Sequence, residues 1–215
     1  MTATLLPAPT AVAPPTGWGR LRLVLVLGAL IALGPLTIDM YLPALPTIVD
    51  DLGTTSAAVQ LTLTGTLAGL ALGQLLVGPL SDTFGRRRPL LVGVGVHVLA
   101  SLLCLVAPNI GVLGGLRVLQ GVGAAAASVV TMAIVRDLFV GRAAATLFSR
   151  LMLILGVAPV LAPTIGGEVL RFTSWRGVFV VLAVLGLILV AGWLRSPSPR
   201  PFPRFAAARS ACATP

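Results

Sequence analysis

The sequence predicts an all-α membrane protein of six transmembrane helices, and three observations carry that prediction. Apolar residues make up 57% of the 215 and charged residues only 10%, with a mean hydropathy of +1.03, far too apolar for a soluble domain of this size. The apolar residues gather into six runs, each close to the about 20 residues that carry a helix across the hydrocarbon core. Most of the arginines fall between the runs and are concentrated on alternate sides.

Residues 1–20 are rich in Pro, Ala and Thr without helical periodicity and read as a disordered cytoplasmic leader. Arg20 and Arg22 flank the first run, Leu21 to Leu45. A cleaved signal peptide would place its charges first and carry a shorter apolar segment, so this run is read as a retained span. The next five runs cover Ala57 to Leu80, Leu90 to Ala107, Val112 to Val135, Ala144 to Val169 and Val178 to Leu194. Breakers followed by N-cap candidates separate them: Asp50-Asp51-Leu52-Gly53 then Thr54-Thr55-Ser56, Pro108-Asn109, and Thr173-Ser174. From Arg195 onward prolines alternate with scattered arginines, the composition of a disordered tail. The chain therefore divides into a leader (1–20), a six-helix bundle (21–194) and a Pro/Arg-rich tail (195–215).

Arginine placement orients the bundle. Of fifteen basic residues, all of them arginine, twelve lie in the leader, in the second-to-third loop, around the fourth-to-fifth junction and in the tail. Only Arg171 and Arg176 lie on the opposite side, and Arg117 is inside a span. Short arginine-rich loops stay cytoplasmic, so both termini are expected in the cytoplasm and the protein in a bacterial-type inner membrane, with the lipid bilayer as its first partner.

Several function classes drop out. The net charge of +9 is parcelled into loops, whereas a nucleic-acid binder gathers its basic residues on one face; no nucleic-acid partner is expected. No Gly-x-Ser-x-Gly elbow, His-Glu-x-x-His or Walker loop occurs, and the chain is not read as an enzyme. His97 stands alone among Val96, Val98 and Leu99, which suits a packed neutral histidine; neither a metal nor a cofactor is expected. Cys104 falls in an apolar run and Cys212 in the tail, so each is read as a free thiol.

The stretch Gly78-Pro79-Leu80-Ser81-Asp82-Thr83-Phe84-Gly85-Arg86-Arg87-Arg88 is a charged turn between two apolar runs. Gly78 would let the helix end approach a neighbour, and Gly85 would supply a tight turn. Asp82 is within reach of Arg86 for a charge-assisted hydrogen bond. Its spacing, Gly-x-Leu-x-Asp-x-x-Gly-Arg-Arg, resembles the loop between helices two and three of the major facilitator superfamily of transporters. Gly78, Asp82, Gly85, Arg86 and Arg87 match that motif.

Further stretches extend the resemblance. Leu36-Thr37-Ile38-Asp39-Met40-Tyr41-Leu42-Pro43 resembles the first helix of the Bcr/CflA drug-resistance branch, and Arg136-Asp137-Leu138-Phe139 fits the same branch. Leu113-Gly114-Gly115-Leu116-Arg117-Val118-Leu119-Gln120-Gly121-Val122-Gly123 resembles the fourth-helix motif linked to proton transfer, with Arg117, Gln120, Gly121 and Gly123 in register. Gly156, Pro159, Pro163, Gly166 and Gly167 resemble the antiporter motif of helix five, although Ala162 stands where the family usually has Gly before the second proline. Trp175-Arg176-Gly177-Val178-Phe179 matches a further family signature and is equally an interfacial anchor.

Two ionisable residues lie well inside apolar runs, Asp39 and Arg117, where each costs about 3 kcal/mol or more and is a functional candidate by default. The resemblance implies that Asp39 binds substrate or couples protons; otherwise it caps the outer end of its helix. For Arg117 it implies a part in proton transfer; otherwise the residue is a structural arginine that holds carbonyls. Gly121, Ala124, Ser128 and Thr131 follow Arg117 at helical spacing and are expected to line a wet cavity, with Asp39 and Arg117 facing it at similar heights. Glu168, at the outer end of the fifth span, is a weaker candidate for a gate. Gly65, Gly69 and Gly73 mark a packing face in the second span.

The resemblance implies one six-helix half of a two-bundle fold. The chain is accordingly expected to be a truncated half of a proton-coupled multidrug antiporter, its partners being protons, a small amphipathic drug-like substrate, and the missing C-terminal half or a second copy. The alternative is a non-transporting scaffold or modulator, which has no reason to keep an acid in lipid.

Overall fold

A computed structural model describes residues 18–195, so the tail beyond Arg195 with Cys212, and the leader up to residue 17, lie outside the described residues. Among the described residues seven α-helices follow one another: α1 (Trp18–Asp39), α2 (Leu45–Leu52), α3 (Ser56–Thr83), α4 (Arg87–Cys104), α5 (Ile110–Leu138), α6 (Gly141–Phe172) and α7 (Arg176–Leu194). No strand occurs among the described residues. Six segments of the described residues are long and apolar enough to cross a membrane, α1 and α2 together forming the first. Helix α1 already begins at Trp18, inside the stretch assigned to the leader.

The first span is jointed, contrary to the single run expected. Helix α1 stops at Asp39, a 3-10 turn covers Leu42–Ala44, and α2 then carries the chain to Leu52. Pro43 explains the stop: it has no N–H to offer the carbonyl four residues back, that of Asp39, and its ring crowds that oxygen. The two acids at 50 and 51 do not break the chain, as had been expected; they belong to α2, which ends at Gly53 in the left-handed region (φ +55°).

The caps of the other spans follow local chemistry. Thr55 Oγ1 accepts the amide of Ala58 at 3.2 Å ahead of α3, and Asn109 Oδ1 accepts that of Val112 at 3.0 Å ahead of α5, each satisfying a donor with no partner inside the helix. Thr173 does not open α7 as expected. Its hydroxyl donates back to Val169 O at 2.8 Å and so closes α6. Pro159 and Pro163 sit inside an unbroken α6.

Helix α5 is the spine of the bundle, packed against α1, α3 and α4. The α3–α5 contact is the closest, and small residues allow it: a Cβ on Gly69 would stand 2.1 Å from Val118 O, and one on Gly121 2.2 Å from Thr66 O. The glycines at 65, 69 and 73 thus form the packing face expected of them. Around this spine lie two apolar clusters. One, at the arginine-rich end, includes Leu27, Leu30, Val94, Ile134 and Trp193; the other, at the opposite end, includes Met40, Tyr41, Ile48, Trp175 and Phe179. Outward-facing leucines, isoleucines and valines of α3 and α6 remain exposed, an apolar band suited to lipid.

Candidate functional site

An open cavity of about 710 Å3 runs down one side of the bundle, between α1, α3, α5 and α6. At one end is Asp39; at the other are Asp82, Arg86, Arg136 and Asp137. The walls between are mostly apolar, including Ile31, Ile38, Leu70, Val129, Met132, Leu155 and Pro159, with Gln74 and Ser128 as polar interruptions. Asp39 occupies its place because α1 ends there. A carboxylate at a helix C-terminus meets the negative end of the helix dipole, and Asp39 forms no salt bridge among the described residues. It is the free acid of the cavity.

The charged end is built on Arg86. Its Nη1 donates to Asp82 Oδ1 at 2.6 Å and to Ser81 Oγ at 2.7 Å, and its Nε donates to Asp137 Oδ2 at 2.9 Å. The local Asp82–Arg86 pair agrees with the sequence reading. Asp82 lies in the last turn of α3, where the helix dipole opposes a carboxylate, and Arg86 offsets that. Burial by itself would lower the Arg86 pKa, but the hydrogen bonds to Asp137 and Asp82 outweigh it and hold the guanidinium above its ordinary range. Gly85 makes the turn in the left-handed region, at φ +79°. Gly78 does not serve close packing as expected: a Cβ there would meet open space, and the residue lines the cavity instead. Arg87 is exposed at the start of α4.

Arg117 is elsewhere. It is 0% exposed, is absent from the cavity lining, and donates from Nη1 to Thr37 O at 3.0 Å and to Gln120 Oε1 at 2.6 Å. Its guanidinium carbon lies 4.3 Å from the centre of the Tyr41 ring and 5.8 Å from that of Phe179. Gln120 in turn donates to Ser101 Oγ at 2.7 Å, and the Ser101 hydroxyl donates to His97 O at 2.7 Å. His97 is buried beside them, with Nδ1 3.3 Å from Gln120 O.

The expectation that Asp39 and Arg117 face one cavity therefore holds for Asp39 alone. Ser128 follows Arg117 by eleven residues, about three turns, and lies on nearly the same face of α5; Ser128 reaches the cavity. At the height of Arg117, however, Tyr41 covers that face. The small-residue stripe is likewise mostly packed, since Gly121, Ala124 and Thr131 are buried.

In the fifth-span motif, Gly166 packs against Met40 O, where a Cβ would stand 2.2 Å away, while Gly156 and Gly167 face open space. Pro159 reaches the cavity and Pro163 does not. Gly123 sits against Gly93 O and His97 N. Glu168 pairs locally with Arg171 at 3.1 Å. Asp137, as the second carboxylate on Arg86, was missed by the sequence reading; the two are separated by 51 positions, and only their shared place at the arginine-rich end hinted at their meeting.

The family model of the Major Facilitator Superfamily matches residues 18–213. The chain belongs to the Major Facilitator Superfamily. Among its relatives, an uncharacterized MFS-type transporter of Bacillus subtilis is 50% identical over 178 residues, 82% of this chain and 44% of that protein. A bicyclomycin resistance protein homolog of Haemophilus influenzae is 39% identical over 168 residues, 78% of this chain and 42% of the relative. A chloramphenicol resistance protein of Pseudomonas aeruginosa is 41% identical over 180 residues, 82% of this chain and 43% of the relative. The chain thus spans less than half the length of these superfamily members. Its six spans make it a multi-pass membrane protein with bacterial relatives, and the superfamily is one of transporters rather than enzymes.

Proposed function

We propose that this chain is the N-terminal half of a proton-coupled multidrug exporter of the Bcr/CflA branch, and that Asp39 is the group at which substrate and proton compete. The observation that carries this is the placement of Asp39: a carboxylate without a basic partner among the described residues, at the end of a largely apolar cavity. Such a group is neutralised either by a proton or by the positive end of an amphipathic molecule, and one carboxylate cannot hold both. Mutual exclusion of that kind is what exchange of a proton for a drug requires. The drug-like class is supported by the names of the relatives, which include resistance to bicyclomycin and to chloramphenicol. Arg117 takes part by fixing the last turn of α1, through Thr37 O, two residues before the acid. Both termini face the cytoplasm of an inner membrane, in keeping with the arginine distribution.

Transporters of this kind alternate access by rocking one bundle against another, and one bundle has no wall to rock against. A monomer of this chain therefore does not pump. The open side of the cavity is closed by the complementary half or by a second copy. The test is to purify the chain, determine its oligomeric state, and measure binding of a lipophilic cation and uptake of the same cation into vesicles under a pH gradient. Cation binding that weakens at low pH and is lost with Asp39→Asn is expected, with no uptake by monomers. Robust transport by a monomer, or binding indifferent to Asp39→Asn, overturns the reading, the latter in favour of a non-transporting scaffold.

A further inference from the structure

The Trp175-Arg176 pair takes no part in the cavity, yet it is the most heavily bonded point at the end of the bundle away from the arginine-rich loops. Asp51 Oδ2, in the last turn of α2, accepts Trp175 Nε1 at 2.9 Å and Arg176 Nη1 at 2.7 Å. Arg176 Nε donates to Leu105 O, just past α4, at 3.0 Å, and the guanidinium lies 4.2 Å from the centre of the Trp175 ring. Residues 124 and 125 positions apart are thereby tied together, joining α2, the end of α4 and the start of α7.

Helix α2 has need of such a tie. It is eight residues long with one buried residue, Ile48, and it hangs from α1 by the proline-broken joint at residues 40–44. From the tie a column of side chains leads inward. Trp175 meets Phe179 edge-on at 6.0 Å, Phe179 meets Tyr41 at 5.8 Å, and Tyr41 lies under Arg117, which holds Thr37 O. Tyr41 is further held by Thr62, with 2.9 Å between the hydroxyls. Thr37 and Tyr41 bracket Asp39.

We infer that Asp51, Trp175 and Arg176 are positioning residues for Asp39: they lock α2 to the mouth of α7, and the locked joint fixes where the α1 end displays its carboxylate in the cavity. The inference rests on the proposed role of Asp39 only for its consequence in transport, since the placement itself can be read without any substrate.

The measurement uses the full chain carrying Asp39→Cys and Cys212→Ala, reconstituted in nanodiscs and labelled with a water-soluble maleimide. Buried Cys104 packs in the same apolar cluster as Tyr41 and Trp175 and reports whether that cluster opens. Asp51→Ala is expected to speed labelling at position 39 about threefold or more, the scale set by losing a part-exposed ion pair and its hydrogen bonds, with Cys104 still protected. Trp175→Phe, which keeps the aromatic contact and removes only the Nε1 bond, gives a smaller increase, and Asp51→Glu restores the parent rate. Should Asp51→Ala expose Cys104 as well, Trp175→Phe decides. Unchanged labelling at position 39 in folded variants overturns the inference, as does exposure of Cys104 in every broken variant, which would make the tie a support of that whole cluster rather than of the joint. Because no drug is present, failure of the transport reading leaves this result standing.

Discussion

Arg86 and Arg117 carry the same guanidinium and are treated oppositely by the fold. Arg86 sits in a wet turn with two carboxylates and a serine hydroxyl on it; Arg117 sits in the dry centre without a carboxylate, held by one carbonyl, one amide oxygen and two aromatic faces. At the water boundary an acid partner is cheap, because water still solvates both ions, and the pair can break and reform. In the interior a second ion would have to be desolvated too. Neutral dipoles do the work there instead, aided by the negative end of α1, whose last turn supplies Thr37 O. The bonds of Arg117 are accordingly few, short and fixed by packing, and they specify one arrangement of α1 against α5.

Removing Arg117 should have the largest consequence. Arg117→Ala leaves Thr37 O and Gln120 Oε1 without their donor and opens a void beside Tyr41, so a loss of about 3 kcal/mol is expected. It is read as a lower midpoint when the reconstituted chain is titrated with denaturing detergent, with no dependence on salt. A loss that salt alters strongly would mean that Arg117 is wetter than it looks. Gln120→Leu comes next, at about 2 kcal/mol, because it strips a partner from both Arg117 and Ser101; replacing Ser101 by Ala in the same background should then cost less than it does alone. The smallest effect is expected from Arg86→Gln, about 1 kcal/mol or less for exposed pairs. Moving from 0.01 to 1 M salt shortens the screening length from about 30 Å to about 3 Å and should erase most of it. Asp137→Asn should show roughly half of that loss, and an effect as large as that of Arg117→Ala would collapse the contrast between the two arginines.

The parts legible in the sequence were those written locally. Six apolar runs, the glycines at 65, 69 and 73, and the Asp82–Arg86 pair all depend on spacings of a few residues, where the geometry of one helix or of one tight turn decides which residues share a face or meet. Pro43 announced the break after Asp39, but the hydrophobicity of Leu42, Ala44 and Leu45 masked it as one continuous span. The partnership of Arg86 with Asp137 was not legible, because two helices had to be docked first. The expectation that Arg117 faces the cavity failed for a related reason, and the alternative, a structural arginine holding a carbonyl, is what the fold contains. Periodicity tells which face of α5 the residue is on, and Ser128 on that same face does reach the cavity; it does not tell that Tyr41, descending from the joint, roofs the face at one height and leaves it open at another.

The lining of the cavity has one further consequence. Among the described residues its walls come from α1, α3, α5, α6 and Arg86, while α4 and α7 contribute nothing to it. These two helices act as a buttress: they pack on each other, α4 also on the spine and α7 also on α1, and they line no part of the cavity. Under selection for new contents, substitutions can accumulate at Ile31, Leu70, Met132 or Leu155 while the buttress goes on supporting the same scaffold. A library confined to wall positions should therefore yield variants that differ in what they bind, and one confined to α4 and to the part of α7 beyond Phe179 variants that differ only in how well they hold together.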